Sequence, residues 1–318
     1  MEPTVFHVMK NPIKTFEPNL NGRDFVVGDL HGSLTAFERL LSGINFNKAV
    51  DRMFSVGDLV DRGPDSLECL ALLKEPWFHC VLANHEQLMI EAFDGGYLGA
   101  FWAQNGGLWG FNALEEWRAS KKLIINELDR PPPPKHESLR LWDLLDYVRE
   151  LPYLLTVLRP DGRRFHVIHA EFPPDRGPIT DELLTNPEEV LRLATVQTRD
   201  GDFLCWGRHI YYQFYNLQVN ESKAQRIVDY HFKKGTGIYN PALSHIISGH
   251  TILQRPTTIF GQTNIDTCAF GSYKSDAASW KCLTAVDLGS WIFYQATETE
   301  FRTAEPLVVN SLQTKAGT

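Results

Sequence analysis

The residues of this chain whose types could do chemistry stand in three short segments, each directly after an apolar run. Residues 28–32 read Gly-Asp-Leu-His-Gly, residues 57–63 read Gly-Asp-Leu-Val-Asp-Arg-Gly, and residues 84–86 read Asn-His-Glu. His169 and His250 follow two later apolar runs in the same manner. Carboxylate, amide and imidazole groups in this combination are typical ligands of divalent transition metals. The pattern therefore predicts a site for two metal ions, and such sites hydrolyse phosphate esters.

The expected metal ligands are Asp29, His31, Asp58, Asn84, His169 and His250. Asp29 and His31 lie two residues apart on a turn bounded by glycines, so both side chains could reach one ion. Asp58 suits a bridging position, because one carboxylate can give an oxygen to each of two ions. Mixed nitrogen and oxygen ligands favour Mn, with Fe or Zn as alternatives, over Ca or an all-oxygen Mg site.

Three further residues beside these ligands are suited to phosphate chemistry. Arg62, shortly after Asp58, could grip phosphoryl oxygens through two N–H groups. His85 directly follows a ligand and is the candidate general acid for the leaving oxygen, with Asp61 holding its ring by a hydrogen bond. Two plainer alternatives stay open: Arg62 could only neutralise a carboxylate, and His85 could be only a structural partner of Asp61.

The elements that must position these residues alternate between strand and helix in the first third of the chain. The predicted buried strands are residues 25–27, 53–56 and 79–82. An apolar stripe from Leu34 to Leu41 predicts a helix after the first strand, and Pro64 fits the first turn of a helix after the second. This alternation is typical of a parallel sheet, whose ligands bind beyond the carboxyl ends of the strands.

The second half of the chain is predicted to be largely β. Its predicted strands are residues 165–168, 245–247, 264–270, 282–286 and 291–295. A stiff linker is expected at residues 131–134 and an amphipathic helix at residues 138–149. The predicted organisation is an N-terminal arm at 1–22, a single domain at 23–300 with insertions at about 113–150, 173–200 and 209–240, and a C-terminal tail at 301–318.

Composition limits the classes of function. The 318 residues are 43% hydrophobic and carry a formal net charge of −8, so we expect a folded core and neither nucleic acid nor a membrane as partner. Five scattered cysteines and no readable secretory signal favour reduced thiols in the cytoplasm. The composition leaves the oligomeric state open.

Together, the three motifs resemble the signature of the PPP-type metallophosphoesterases, and most fully that of the bacterial and phage lambda-type serine/threonine protein phosphatases. The fuller resemblance includes residues 84–87, 105–107, 151–152, 169–170, 249–251 and 265–267, and Trp206 with Arg208. It runs from about residue 24 to about residue 295. It implies an α/β (α+β) fold, namely a calcineurin-like β-sandwich of mixed sheets flanked by helices.

The resemblance also implies roles for individual residues. Its metal ligands are Asp29, His31 and Asp58 for one ion, and Asp58, Asn84, His169 and His250 for the other. Arg62 and Arg208 resemble the phosphate clamp, with Asn84 also expected to bind substrate, and His85 with Asp61 resembles the acid pair. From the residues alone, His166 is predicted to be packed or exposed rather than a ligand, and Trp102 and Trp109 to be core residues rather than a base-stacking platform.

This sequence departs from the family pattern at three places that surround the expected site. Leu82-Ala83 replaces an Arg-Gly pair, Cys268 stands where glycine is frequent, and Glu171 follows the His-Ala pair. Glu171 could tune or obstruct the site. None of the three departures removes an expected ligand.

The predicted function is a dinuclear phosphomonoester hydrolase, specifically a serine/threonine protein phosphatase acting on a phosphorylated protein or peptide. The resemblance implies direct attack by a hydroxide held between the ions, with His85 as general acid. One alternative is a symmetrical bis(5'-nucleosyl)-tetraphosphatase, whose members tend to carry Asp at the position of Glu86. A second alternative is a non-catalytic binding protein that uses a metallated fold to present its insertions.

Overall fold

Two mixed β-sheets pack against each other in the computed structural model, with helices on their outer sides. The structure describes residues 11–95, 99–121, 132–173, 176, 179–198, 201–209, 211, 226, 243–259, 261–273 and 278–309. The architecture confirms the predicted α/β sandwich of mixed sheets flanked by helices.

The six-stranded sheet contains the three strands predicted in the first third of the chain. Its strands are β2 (Asp24–Val27), β3 (Arg52–Ser55), β4 (Phe78–Cys80), β10 (Leu283–Asp287), β11 (Phe293–Ala296) and β12 (Phe301–Ala304). β2, β3 and β4 are parallel neighbours, as the strand–helix alternation predicted. The intervening helices are α1 (Leu34–Gly43) and α2 (Ser66–Ala71).

The seven-stranded sheet is built mainly from the second half of the chain. Its strands are β1 (Ile13–Phe16), β5 (Leu154–Leu158), β6 (Arg164–Val167), β7 (His245–Ser248), β8 (Thr257–Ile259), β9 (Gln262–Asn264) and β13 (Leu307–Val309). β1, β12 and β13 lie outside residues 23–300 and pair with strands of the two sheets.

The predicted strand at 264–270 is wrong. β9 ends at Asn264, and residues 269–271 form a short 3-10 helix. The Asp266 carboxylate accepts the N–H of Cys268 at 2.9 Å, and Cys268 itself has a φ of 64°. A side chain that takes a backbone donor in this way competes with strand pairing, so the extended chain stops here.

The core between the two sheets is made of aliphatic and aromatic side chains from both. Val26 and Phe54 from one sheet meet Leu155, Val167 and Ile247 from the other, and none of the five is exposed. Burying such side chains stabilises each of them by about 1.5–3 kcal/mol, which fixes one sheet relative to the other. The strand ends that follow these core residues therefore keep fixed positions relative to each other.

The remaining helices lie outside the two sheets. They are α3 (Asn84–Phe93), α4 (Gly99–Gln104), α5 (Phe111–Ser120), α6 (His136–Arg149), α7 (Pro187–Ala194) and α8 (Phe203–Trp206). α6 confirms the predicted amphipathic helix, and α3 packs against α4, α5 and α6. Residues 132–135 have no regular structure, whereas residue 131 and almost all of the predicted insertion at 209–240 lie outside the described residues.

All five cysteines are buried free thiols. Over the part of the chain that the structure describes, no helix is both long and apolar enough to cross a membrane.

Candidate metal centre

The predicted ligands converge at one edge of the sandwich, beyond the carboxyl ends of five strands. Asp29, Asp58 and Asn84 follow β2, β3 and β4, while His169 and His250 follow β6 and β7 of the other sheet. All of them are buried. Within this cluster, His31, Asp58 and His85 form one group able to hold a metal ion, and Asp58, His169 and His250 form another. Asp58 belongs to both groups, as the bridging position requires.

His31 is presented to Asp58 as a neutral imidazole. Its Nδ1–H donates to the carbonyl oxygen of Val60 at 2.9 Å, which leaves the lone pair on Nε2, 3.2 Å from an Asp58 oxygen. Burial, together with the nearby Arg62 guanidinium, lowers the pKa of His31 to about 3. This lone pair meets an Arg62 N–H at 2.7 Å and also faces the Asp58 oxygen, so a metal ion bound by both would relieve the repulsion between them.

The second group shows the same conflict more sharply. His169 donates its Nδ1–H to the carbonyl oxygen of Val56 at 2.7 Å, and its Nε2 lies 2.7 Å from Asn84 Oδ1 and 3.1 Å from His250 Nδ1. Burial lowers the pKa values of His169 and His250, which favours the neutral form of both rings. His250 Nε2 is buried and has no hydrogen-bond partner among the described residues. The donor set fits a divalent metal, because two imidazole rings and an amide oxygen meet at one buried place, and His169 Nε2 and Asn84 Oδ1 both face it with lone pairs.

Carboxylates surround the ligands and add negative charge. Burial raises the pKa of Asp29, and repulsion from Asp266 and Asp58 raises it further. Burial likewise raises the pKa of Asp266 to about 6. Three buried carboxylates at one place are costly without positive charge, which divalent ions would provide.

Strained backbone is concentrated at this edge of the sheets. The non-glycine residues with left-handed φ angles include His31, Asp58, Asp61, Arg62 and His250, with values between 44° and 73°. Each such residue costs on the order of 1 kcal/mol or more, and persists only where its surroundings hold it.

Glu86 is one of the groups that hold this strained segment. Its buried carboxylate accepts the N–H groups of Asp58 at 3.0 Å, Leu59 at 2.8 Å and Val60 at 3.4 Å. The sequence interpretation gave Glu86 no role in the site beyond its place in the motif. The signal was present in Asn-His-Glu, since the third residue of this segment lies in the first turn of α3 and faces back to the loop.

The predicted acid pair and the predicted phosphate-binding arginine are neighbours. His85 Nδ1 lies 2.6 Å from an Asp61 oxygen, and His85 Nε2 lies 2.8 Å from an Arg62 nitrogen. The same guanidinium contacts His31 Nε2 at 2.7 Å and lies over the Phe270 ring, 4.9 Å from its centroid. Phe270 thus helps to hold Arg62 beside the ligand cluster, a contact that the sequence did not indicate.

Two tryptophans also reach the acid pair. Trp109 Nε1 donates to Asp61 Oδ1 at 2.7 Å, and Trp102 Nε1 lies 3.2 Å from both Asp61 oxygens. Trp102 is fully buried, as predicted for a core residue, and its contact with the acid pair is one that the sequence did not indicate. By contrast, His166 bonds Asp181 at 2.9 Å and Thr156 at 3.0 Å, away from the ligands.

The departures from the family pattern fit into the structure without blocking it. Ala83 is extended, with a φ of −117°, which alanine adopts freely. Glu171 accepts the N–H groups of His209 at 2.8 Å and Tyr211 at 2.9 Å, so it shapes the segment directly after Arg208. Arg208 is exposed, yet its charge helps to lower the pKa values of His169 and His250.

Comparisons with known proteins agree with this geometry. The sequence pattern of the calcineurin-like phosphoesterases matches residues 25–253. Serine/threonine-protein phosphatase 2 of Escherichia coli (strain K12) is 34% identical over 149 residues, which cover 47% of this chain and 58% of that protein. The symmetrical bis(5'-nucleosyl)-tetraphosphatase of Pseudomonas putida (strain F1) is 46% identical over 172 residues, which cover 53% of this chain and 49% of that protein.

The match to a solved structure concerns the fold alone. The crystal structure of a cold-active protein-tyrosine phosphatase from a psychrophilic Shewanella matches with a TM-score of 0.50 and 14% sequence identity. The match covers 95% of this chain and 85% of that one. The chain spans about half the length of the curated relatives it matches.

The chain belongs to the calcineurin-like phosphoesterase family, since the family pattern covers most of its length. Members of this family depend on two metal ions, and the two groups that share Asp58 supply a place for them.

Proposed function

We propose that this protein is a phosphomonoester hydrolase that acts as a serine/threonine protein phosphatase with two divalent ions, Mn being the metal that its ligands favour. The proposed ligands are Asp29, His31, Asp58, Asn84, His169 and His250. When bound, such ions supply positive charge to the phosphate oxygens and acidify water. Buried free thiols support a reducing compartment such as the cytoplasm for this activity.

The observation that carries the proposal is the pairing of His85 with Asp61 beside Asp58. The 2.6 Å contact fixes the His85 ring, with its Nδ1–H on Asp61 and its Nε2 toward Arg62. A proton on Nε2 then faces the place where a phosphate ester bound by Arg62 would break. Serine and threonine oxygens are poor leaving groups without a proton, so an acid at this position matches their esters.

The arginines have a separate task in this proposal. Arg62 and Arg208 bind the phosphoryl oxygens, and their charge stabilises the transition state of the transfer to water. Asn84 helps to orient the same group. In this structure Arg62 contacts His31 and His85, so phosphate would replace the ring nitrogens as its partner.

The similarity to Escherichia coli serine/threonine-protein phosphatase 2 supports this choice of substrate. The 46% identical segment shared with a symmetrical tetraphosphatase favours a second candidate, the hydrolysis of a dinucleoside tetraphosphate. Glu86 argues for the phosphatase, because the tetraphosphatases tend to carry aspartate at this position. An aspartate would be one methylene shorter and would reach the three N–H groups less well.

Turnover on two substrates tests the choice. Purified protein with Mn²⁺ is compared on a phosphoserine or phosphothreonine peptide and on diadenosine tetraphosphate. A kcat/KM at least tenfold higher for the phosphopeptide supports the protein phosphatase. A preference for the dinucleotide would establish the second candidate instead, and inactivity of a metal-loaded sample on all phosphate esters would favour the non-catalytic alternative.

A further inference from the structure

The Asp61 carboxylate accepts more hydrogen bonds than it needs to orient one histidine ring. Its side chain is fully buried, and it receives N–H groups from three different side chains. His85 contacts Oδ2 at 2.6 Å, Trp109 contacts Oδ1 at 2.7 Å, and Trp102 lies 3.2 Å from both oxygens. Trp102 lies on α4, and Trp109 lies on a 3-10 turn at Gly107–Gly110.

We propose that Trp102 and Trp109 are positioning residues for the general acid, an inference that rests on the proposed function. Their indole N–H groups fix the plane of the Asp61 carboxylate, and Asp61 in turn aims the His85 ring at the leaving oxygen. The tryptophans take no part in bond breaking in this role: the proton comes from His85, and both indoles stay chemically unaltered.

The chemistry of a buried carboxylate is the first argument. An ionised carboxylate without water must have its lone pairs satisfied by donors, or its burial becomes costly. His85 alone would occupy one oxygen and would leave Oδ1 without a donor on that side. Neutral indole donors satisfy Oδ1 without adding a second positive charge, so the attraction of Asp61 for the His85 ring is kept.

The rigidity of the tryptophans is the second argument. Trp102 stacks edge-on with Trp109, with ring centroids 6.1 Å apart, and with Phe93 at 6.0 Å. Gly107 and Gly110 approach the Trp102 ring so closely that a Cβ at either position would overlap it. A donor held in this way can fix an acceptor, which a freely rotating side chain could not do.

The backbone between the two tryptophans also meets the site. A Cβ at Gly106 would lie 2.7 Å from the backbone nitrogen of Arg62 and 3.1 Å from Asp61 Cβ. The segment that carries the indoles is therefore packed directly on the loop that carries Asp61 and Arg62. This contact explains why an Asn-Gly-Gly segment separates the two tryptophans.

The test removes one indole N–H while keeping an aromatic ring. Trp109→Phe deletes the 2.7 Å donor to Asp61, and Trp102→Phe is a second, independent deletion. The matched control is Trp117→Phe, which removes an indole N–H that donates to the Phe93 carbonyl at 3.0 Å in the same helical layer. Thermal unfolding of all three variants shows that each is folded.

Two readouts separate positioning from general destabilisation. The first is kcat on an alkyl phosphate and on nitrophenyl phosphate, whose leaving group hardly needs a proton. We expect Trp109→Phe to lower kcat about tenfold on the alkyl ester and less than about threefold on the nitrophenyl ester. Trp117→Phe leaves both values within about twofold.

The second readout does not depend on turnover. The Nδ1 proton of His85, hydrogen-bonded to Asp61, is followed by proton NMR in the Zn²⁺-loaded protein, which is diamagnetic, and is assigned by its loss in His85→Asn. We expect this resonance to shift in Trp109→Phe and to stay in place in Trp117→Phe. Equal kcat losses on the two esters, or an unshifted resonance in Trp109→Phe, would overturn the inference. If the wild-type protein hydrolyses no phosphomonoester, the proposed function fails, and the resonance alone decides whether the indoles position His85.

Discussion

His169 Nε2 and Asn84 Oδ1 lie 2.7 Å apart, and neither atom has a proton to offer the other. The His169 ring has already given its Nδ1–H to the Val56 carbonyl, and an amide oxygen only accepts. A cation that accepts both lone pairs would remove the repulsion between them, so occupancy of the site is the first property to measure.

We expect His169→Ala to reduce bound metal from two ions per chain to one. The remaining group around Asp58 and His31 keeps its own ligands, whereas the second group loses an imidazole. Metal analysis after gel filtration counts the ions. The matched control is His166→Ala, a buried histidine just before it in the chain that bonds Asp181 instead, and this variant retains both ions. Two ions bound to His169→Ala would contradict the ligand assignment.

The acid role of His85 has its own test. His85→Asn should keep the metals and lose about 10²–10⁴-fold in kcat on alkyl phosphates, because the leaving oxygen is no longer protonated. The loss on nitrophenyl phosphate should be clearly smaller. His79→Asn, which changes a histidine on β4 outside the ligand cluster, serves as control. Equal losses on both substrates would remove His85 from the acid role.

The close approach of Gly249 to Asp29 predicts a steric effect on the metals. A Cβ at this position would overlap the Asp29 carboxylate, so Gly249→Ala displaces a ligand and lowers metal affinity by about tenfold or more. Isothermal titration with Mn²⁺ measures the affinity. Gly162→Ala tests strain alone: this glycine has a φ of 83° and open space around it. It should lose about 1 kcal/mol of stability at unchanged metal affinity.

The stability of the protein should fall as the pH rises through the range in which Glu91 ionises. Burial, with a contribution from Asp202, raises the pKa of Glu91 from 4.5 to about 7. The folded state therefore holds this proton more tightly than the unfolded chain does. The resulting stability is complete below pH 4.5 and is lost as the pH rises through 7.

Replacing Glu91 removes its contribution to the pH dependence of stability. Glu91→Gln should be more stable than the wild type at pH 8.5 by about 1–2 kcal/mol, after allowance for solvent screening, and no more stable at pH 4. Urea unfolding at both pH values gives the free energies. Glu38→Gln, an exposed change on α1, provides the control. The same difference at both pH values would exclude Glu91 as the source.

The meeting of the candidate ligands at one edge could be predicted from sequence, because each polar residue follows an apolar strand and parallel strands bring their carboxyl ends to one edge. Asp58 and Asn84 are examples from one sheet. The helices α1 and α6 could be predicted for a similar local reason, namely a regular apolar stripe.

Contacts between distant segments could not be predicted in this way. Trp109 reaches Asp61 from 48 residues away, through a helical layer whose packing no local pattern specifies. The short strands at both ends of the described chain were missed because three or four residues carry too little periodicity. The end of β9 was missed because Asp266 and Cys268 form a turn within an apolar run.

The candidate ligands of the second group follow strands of both sheets: Asp58 and Asn84 follow β3 and β4 of the six-stranded sheet, and His169 and His250 follow β6 and β7 of the seven-stranded sheet. An ion bound there would be a cross-link between the halves of the sandwich, in addition to the hydrophobic contacts that join them. Chelation would then remove this cross-link, which would lower the free energy of unfolding as well as end turnover.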